Sequence, residues 1–216
     1  MAERLNFGSA EQRVLVENGV NLPVLDNREK LRLKKPFIIL SVTRNDYAKG
    51  PELLIDIAKI LQDRELESLF LIKAVGIEDS EHLNGLAGQA GVAKLIQWHA
   101  PCEDLSPFFE QAYCYLSTSR WEGMPLAVLE AMSYGVPVVA SEVVGNKDLV
   151  KHGKTGFLYS RKLPMEAVDQ ILSLSQSDTL WASTGNSARE IVEESFSEKL
   201  MIRRTKDTYS QLIGKF

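Results

Sequence analysis

The sequence predicts a single domain of the α/β class, a six-stranded parallel sheet with helices on both faces and further helices at the C-terminus. Three observations carry this reading. Short, near-continuous apolar runs recur along the chain, among them Phe37-Ile38-Ile39-Leu40 and Val136-Pro137-Val138-Val139-Ala140, and unbroken apolar strands belong to parallel sheets buried on both faces. Between the runs lie segments with apolar residues at helical spacing, clearest at Leu53, Leu54, Ile57, Ala58 and Leu61. Strand and helix alternate, as repeated βαβ units require.

The elements follow in order. Phe37 to Val42 reads as the first strand and Pro51 to Gln62 as the helix after it. Then come a strand from Leu69 to Val75, a helix from Glu81 to Ala90, a strand from Lys94 to Trp98, and a short helix from Leu105 to Gln111. Tyr113 to Ser117 is the fourth strand, Leu126 to Tyr134 a helix, Val136 to Ala140 the fifth strand, Lys147 to Lys151 a helical turn, and Gly156 to Tyr159 the sixth strand. Two or three helices complete the chain, one entered through the capping-box spacing Ser195-x-x-Glu198. A Rossmann-like sheet of this kind is expected in the order 3-2-1-4-5-6, with residues 37–42 near its centre and the ligand groove at its C-terminal edge. Residues 1–35 are polar, with turn chemistry at Asn18 to Pro23 and a charged stretch from Arg28 to Lys35. They read as an interdomain linker or N-terminal extension, which leaves 36–216 as the domain proper.

Composition narrows the function. A net charge of -4 and a pI near 5.5 argue against broad binding to nucleic-acid phosphates. The longest apolar runs fall far short of the roughly 18 residues that cross a bilayer. The N-terminus lacks the charged-then-apolar layout of a signal peptide, so a cytoplasmic protein is the default. Cys102 and Cys114 have no metal-ligand spacing and read as reduced bystanders.

The most informative stretch runs from Trp121 to Ser141, a loop, a helix and a strand in sequence. Gly123 lets backbone approach a ligand closely, Pro125 suits the first turn of a helix, and Gly135 suits its C-terminal cap. Glu130 is the only charged side chain between Leu126 and Tyr134. A carboxylate among apolar residues is costly unless paired, and a hydroxylated ligand would pair it; the alternative is a solvent-facing Glu on a polar stripe. A second cluster, Ser41 to Gly50, occupies the first βα turn. There Arg44 offers a planar fork and Lys49 a mobile point charge, both suited to phosphate oxygens, unless they are two solvated loop cations.

Together these segments resemble the C-terminal domain of the family 4 retaining glycosyltransferases, also called glycosyl transferases group 1, of the two-domain GT-B fold. The motifs are Arg44, Lys49-Gly50, Glu122-Gly123-Met124-Pro125-Leu126, Glu130 eight positions after Glu122, and Gly135-Val136-Pro137-Val138-Val139. Downstream, Val144 to Leu158 resembles the family's Gly-rich turn followed by His-Gly-x-Thr-Gly-Phe-Leu, and Asn18-Gly19-Val20-Asn21 its interdomain linker. Thr43-Arg44-Asn45 departs from the usual Gly-Arg-Leu, and Trp98-His99-Ala100 stands where a Gly often follows the family's His.

The resemblance implies that Arg44 and Lys49 hold a donor diphosphate, that Gly123, Met124, Pro125 and Leu126 present the loop backbone to phosphate and sugar, that Glu122 faces the sugar, and that Glu130 meets the ribose. Glu122, Arg44 and Lys49 are the implied catalytic group, with no metal and no cofactor. His152, in a Gly-flanked turn, and His99 are given no catalytic role. The implied activity is transfer of a hexose from a UDP- or GDP-sugar to a saccharide or lipid-linked acceptor, in surface polysaccharide or lipopolysaccharide assembly. The whole protein would then be cytoplasmic or peripheral at the inner face of the membrane. The acceptor-binding N-terminal domain is absent from the sequence, so this half alone is expected to be inactive. A non-catalytic nucleotide-sugar-binding subunit and a sugar-nucleotide epimerase of similar fold are the competing readings.

Overall fold

The computed structural model describes residues 14–25 and 35–213. Strands β1 (Phe37–Val42), β2 (Phe70–Val75), β3 (Ile96–His99), β4 (Cys114–Ser117), β5 (Val138–Ser141) and β6 (Phe157–Tyr159) form one six-stranded sheet. Every pairing is parallel and the order is β3-β2-β1-β4-β5-β6, as expected from the sequence, with β1 inside the sheet. Successive side chains of a strand point to opposite faces. Ile39, Ile72, Cys114, Leu116 and Val139 therefore pack on one face with α1 (Leu53–Asp63), α2 (Glu81–Gln89) and α6 (Pro164–Gln176). Leu40, Tyr115, Val138 and Ala140 pack on the other, with α3 (Ser106–Gln111), α4 (Leu126–Ser133) and α7 (Asp178–Ser195). Two apolar faces are why the strands read as unbroken hydrophobic runs. Helices α5 (Val144–Leu149) and α8 (Glu198–Ile213) complete the chain.

Three local readings are corrected. Residues 93–95 form a 3-10 turn, so the third strand starts at Ile96 and not at Lys94. Helix α5 begins at Val144, three residues before the expected helical turn, and ends at Leu149. Ser195 is the last residue of α7 rather than a cap. Segment 14–25 explains this junction: the Val20 amide donates to the Phe196 carbonyl at 2.9 Å, and the Val20 carbonyl accepts from the Glu198 amide at 2.9 Å. Backbone thus satisfies the start of α8. Val20 itself is buried. Residues 26–34, with most of the charged stretch, lie outside the described residues, as do residues 1–13.

The end of α4 follows its sequence. Gly135 takes the left-handed φ of 63°, its amide donates to Met132 O and that of Val136 to Ala131 O, both at 2.9 Å, which is a Schellman ending. Against it lies Gly185 of α7, where an added Cβ would strike the Gly135 carbonyl oxygen. The two helices meet backbone to backbone.

This contact decides the sign of a substitution. In an open helical site, Gly→Ala stabilises by about 0.4–1 kcal/mol, and Gly88 in α2 is such a site, where an added Cβ would meet open space. At Gly185 the overpacking cost of about 1–3 kcal/mol wins. Gly185→Ala is expected to lower the urea midpoint at unchanged m, and Gly88→Ala to raise it. A rise for Gly185→Ala would refute the close contact.

Candidate active site

Strand order places the site before any side chain does. From β1 the chain proceeds outward through β2 and β3, then returns to place β4 on the other side of β1. The loops after β1 and β4 therefore leave the sheet in opposite directions, and a crevice opens at the C-terminal edge between them. A groove of about 850 Å³ occupies this edge, within the roughly 300–1,000 Å³ range of small-molecule sites. Val42 and Val75 lie in its lining, with Thr43 to Asp46 and Lys49 from the loop after β1, and with Glu122 and Met124 to Ala127 from the loop after β4 and the start of α4. Glu78 and Asp79 follow β2 and Pro101 and Cys102 follow β3, so the acidic end of the groove lies on the β2 side.

Lys49 and Glu122 meet across the crevice. Their contact, Nζ to Oε1, is 2.6 Å, and the two side chains are 23% and 12% exposed. The same Oε1 accepts the Ser119 hydroxyl at 2.6 Å. Glu122 Oε2 makes no hydrogen bond among the described residues. Asp46 shapes the turn that delivers Lys49, its Oδ1 accepting the Lys49 amide at 2.8 Å and its carbonyl the Gly50 amide at 3.1 Å. Arg44 is much more open, 73% exposed, with Nε 3.2 Å from Asp46 Oδ2. An exposed pair of this kind holds its cation weakly.

Beneath Glu122 lies a buried polar layer. The Ser141 hydroxyl donates to the Ser119 carbonyl at 2.7 Å, and Asn146 Nδ2 donates to the Ser141 carbonyl at 2.9 Å. Gly145 closes over the loop, since a Cβ there would stand 2.9 Å from Glu122 Cβ and would overlap the Gly123 carbonyl. The close backbone approach expected at Gly123 is thus made within the protein at Gly145, while Gly123 has open space around it. Pro125 occupies the N-cap of α4, one residue earlier than its expected place.

Of the residues singled out by sequence, Arg44, Lys49, Glu122, Met124, Pro125 and Leu126 share the groove. Glu130 does not line it. Half-buried one turn into α4, it lines a smaller concavity with Asn21, Pro23, Asp104 and Tyr134, and burial raises its pKa. His152 is also elsewhere: its Nδ1 accepts the Leu158 amide at 3.1 Å and steadies the 152–158 turn. His99 ends β3 with its ring against Phe108 and, among the described residues, no hydrogen-bond partner for Nε2. Cys114 is buried, which pushes its thiol up to about 12 and leaves no thiolate for chemistry near neutral pH. Sequence reasoning missed Ser119, and it singled out Gly145 and Asn146 only as part of a Gly-rich turn, without a place at the site. Ser119, three residues before Glu122, carried a local signal, whereas Asn146 and Gly145 arrive from another loop. Among the described residues, no group of three or more His, Cys, Asp or Glu side chains is placed to hold a metal ion, and no helix is long and apolar enough to cross a membrane.

Comparison with known proteins gives one consistent picture. The model of the family described as glycosyl transferases group 1 matches residues 24–191. Curated relatives include the amylovoran biosynthesis glycosyltransferase AmsK of Erwinia amylovora, 29% identical over 195 residues, covering 85% of this chain and 47% of the relative. The UDP-Gal:alpha-D-GlcNAc-diphosphoundecaprenol alpha-1,3-galactosyltransferase of Escherichia coli is 28% identical over 217 residues, covering 92% of this chain and 54% of its own. The chain spans about half the length of these relatives. Similar solved structures include the sucrose-phosphate synthase of Thermosynechococcus elongatus, at a TM-score of 0.83 and 24% identity over 100% of this chain and 56% of that one. HepE of Anabaena, solved with UDP and glucose, gives 0.81 and 21% over 97% and 60%. At these identities the structural likeness is one of fold.

Glu130 supplies a test of the geometry. Its raised pKa means that the folded protein disfavours the charged carboxylate, so Glu130 subtracts stability once the pH exceeds its unfolded value of about 4.3. Glu130→Gln is expected to raise Tm at pH 7, with the gain fading as the pH is lowered to about 4. A gain of equal size at both pH values would contradict the assignment to burial.

Proposed function

The chain belongs to the glycosyl transferases group 1 family, and on that premise we propose that it is the donor-binding domain of a retaining hexosyltransferase that uses a UDP- or GDP-sugar. The observation that carries this reading is the Lys49–Glu122 pair across the β1/β4 crevice, with Arg44 in the same groove. An ammonium has three donors, so a Lys49 bound to Glu122 keeps two for diphosphate oxygens. When the bond from the anomeric carbon to the diphosphate breaks, its electron pair remains on the diphosphate. Cations beside that oxygen stabilise the charge as it develops. In this reading Arg44 and Lys49 supply the cations, and no divalent metal is needed. Glu122 Oε2 accepts hydroxyls of the donor sugar, Gly123 to Leu126 offer loop backbone to phosphate and sugar, and Glu130 comes to the ribose when the nucleoside settles against α4. Retention follows from attack by the acceptor on the face the diphosphate leaves.

The relatives named for amylovoran synthesis and for galactosyl transfer to a diphosphoundecaprenol-linked sugar support a saccharide or lipid-linked acceptor in surface polysaccharide assembly. Their doubled length supports assigning acceptor binding to a second domain, with the whole protein working in the cytoplasm or at the inner membrane face.

Thermal shift with UDP, GDP and ADP tests the donor assignment. At a hundredfold excess over Kd, a ligand of the native state stabilises by about 2.7 kcal/mol, which is about 5–11 °C in Tm for a domain of this size. UDP or GDP is expected to give such a shift, unchanged by EDTA; no shift with any of the three would sink the reading. Arg44→Ala and Lys49→Ala should each weaken the diphosphate by about 1.5–3 kcal/mol, the worth of a charge-assisted hydrogen bond, and the corresponding monophosphate far less. Calorimetry with both nucleotides would detect equal losses, the contrary result.

Because acceptor orientation alone is worth about 7 kcal/mol or more, the 216-residue chain is expected to bind donor and to transfer negligible sugar in a labelled-donor assay with oligosaccharide acceptors. Turnover at the rate of a two-domain relative would show that this half suffices.

A further inference from the structure

Three loops of the C-terminal edge converge on a cluster outside the groove. Arg120, after β4, donates Nη1 to the Tyr47 carbonyl at 2.7 Å and pairs through Nη2 with the Glu52 carboxylate. Arg161, after β6, donates Nε to the Thr118 carbonyl at 2.9 Å and brings Nη2 to 3.8 Å from the same Glu52. Both guanidiniums close over Gly50, whose φ is 58°; a Cβ there would stand 2.8 Å from Arg120 Nη1 and from Arg161 Nη2. The Tyr47 ring lies under Arg120, with the guanidinium carbon 4.1 Å from its centroid.

We propose that Arg120 and Arg161, joined through Glu52, are positioning residues that clamp the loop after β1 to the loop after β4 and so hold Lys49 against Glu122. Each contact of the cluster sits next to the pair. Arg120 stands two residues before Glu122, and the carbonyl it grips belongs to Tyr47, two residues before Lys49. Arg161 fixes the Thr118 carbonyl, while the Thr118 hydroxyl donates to the Lys49 carbonyl at 3.0 Å. Between them, the Arg120 amide donates to the Ala48 carbonyl at 2.7 Å. Every strut of the clamp therefore ends within four residues of Lys49 or Glu122.

An exposed ion pair contributes little, but each of these arginine side chains is only 22% exposed, and each spends its planar fork on a carbonyl as well as on the carboxylate. A lysine cannot reproduce that fork. The cluster also gives a function to β6, a strand of three residues at the far edge of the sheet: it delivers Arg161.

The test rests on the donor reading for one arm and is independent of it for the other. In the independent arm, amide hydrogen exchange is measured on the nucleotide-free chain. Arg120→Ala and Glu52→Gln should each accelerate exchange at Lys49, Gly50 and residue 120 by about tenfold or more, with the β-strand core unchanged. Unchanged exchange in these loops overturns the proposal. Glu52→Gln carries the test if Arg120→Ala does not fold.

In the binding arm, UDP and UMP affinities are compared by calorimetry. Arg120→Ala should weaken UDP about tenfold and UMP little. Arg120→Lys, which keeps the charge and loses the fork, should be as weak as Arg120→Ala; full rescue by lysine would mean that charge alone matters and would overturn the clamp. Because the clamp acts through Lys49, the Lys49→Ala/Arg120→Ala double variant should lose no more than Lys49→Ala, and additive losses would refute it. If the unsubstituted chain binds neither UDP nor GDP, the donor reading fails while the exchange arm still decides the clamp.

Discussion

The contact between Lys49 and Glu122 is what the rest of this edge of the molecule depends on. The two residues are 73 positions apart in sequence and come from loops that the strand order sends apart. The Lys49–Glu122 pair spans the gap, beside the Arg120–Glu52 pair that joins the same two loops. Behind it stand Asp46, which shapes the turn carrying the lysine, and Ser119, which fixes the carboxylate oxygen that the lysine touches. Below these, Ser141 and Asn146 satisfy the loop backbone, and Gly145 supplies the clearance that lets α5 close over it.

The energetics of the pair lie between two regimes. Fully exposed pairs are worth about 0–1 kcal/mol, and in buried pairs desolvation can cancel the attraction. With side chains 23% and 12% exposed, this pair is closer to the second, so its main effect is to fix where charge sits. Both groove cations already have carboxylate neighbours, Lys49 in Glu122 and Arg44 in Asp46. An arriving anion therefore competes with existing partners. Such a site discriminates by geometry: an ammonium with spare donors can add an oxygen without leaving Glu122, provided that the oxygen arrives from the open side.

Much of the fold was legible because the inner strands β1, β4 and β5 are buried on two faces, which leaves apolar runs, and because α1 carries its core residues at helical spacing. Gly135 was legible for a stereochemical reason, the left-handed turn that ends α4. Local pattern misled where a distant segment supplied the missing bonds. Ser195-x-x-Glu198 had capping-box spacing, yet the Val20 carbonyl takes the Glu198 amide and the helix boundary falls elsewhere. The site divides in the same way. Arg44, Lys49 and the Glu122 loop announce themselves at a strand-to-helix turn and a helix start, and the resemblance joins them. Arg161 and Asn146 carry no local signal, since their roles exist only once β6 and α5 are folded against β4 and β5. Glu130 was legible as an unusual charge in an apolar helix, but which concavity it faces depends on the pitch of that helix.

Arg189 of α7 ties these themes to the beginning of the described chain. Its Nη1 donates to the Ser133 carbonyl at the C-terminal end of α4 at 2.7 Å, and its Nη2 donates to the Pro23 carbonyl at 3.0 Å. The cation is well placed at the negative end of the helix, and α4, eight residues long or about 12 Å, leads from there to Leu126 in the groove wall. Just beyond that end, Gly135 packs backbone to backbone on Gly185. Arg189 thus joins Pro23 to one end of the helix, and the ligand groove is built on the other.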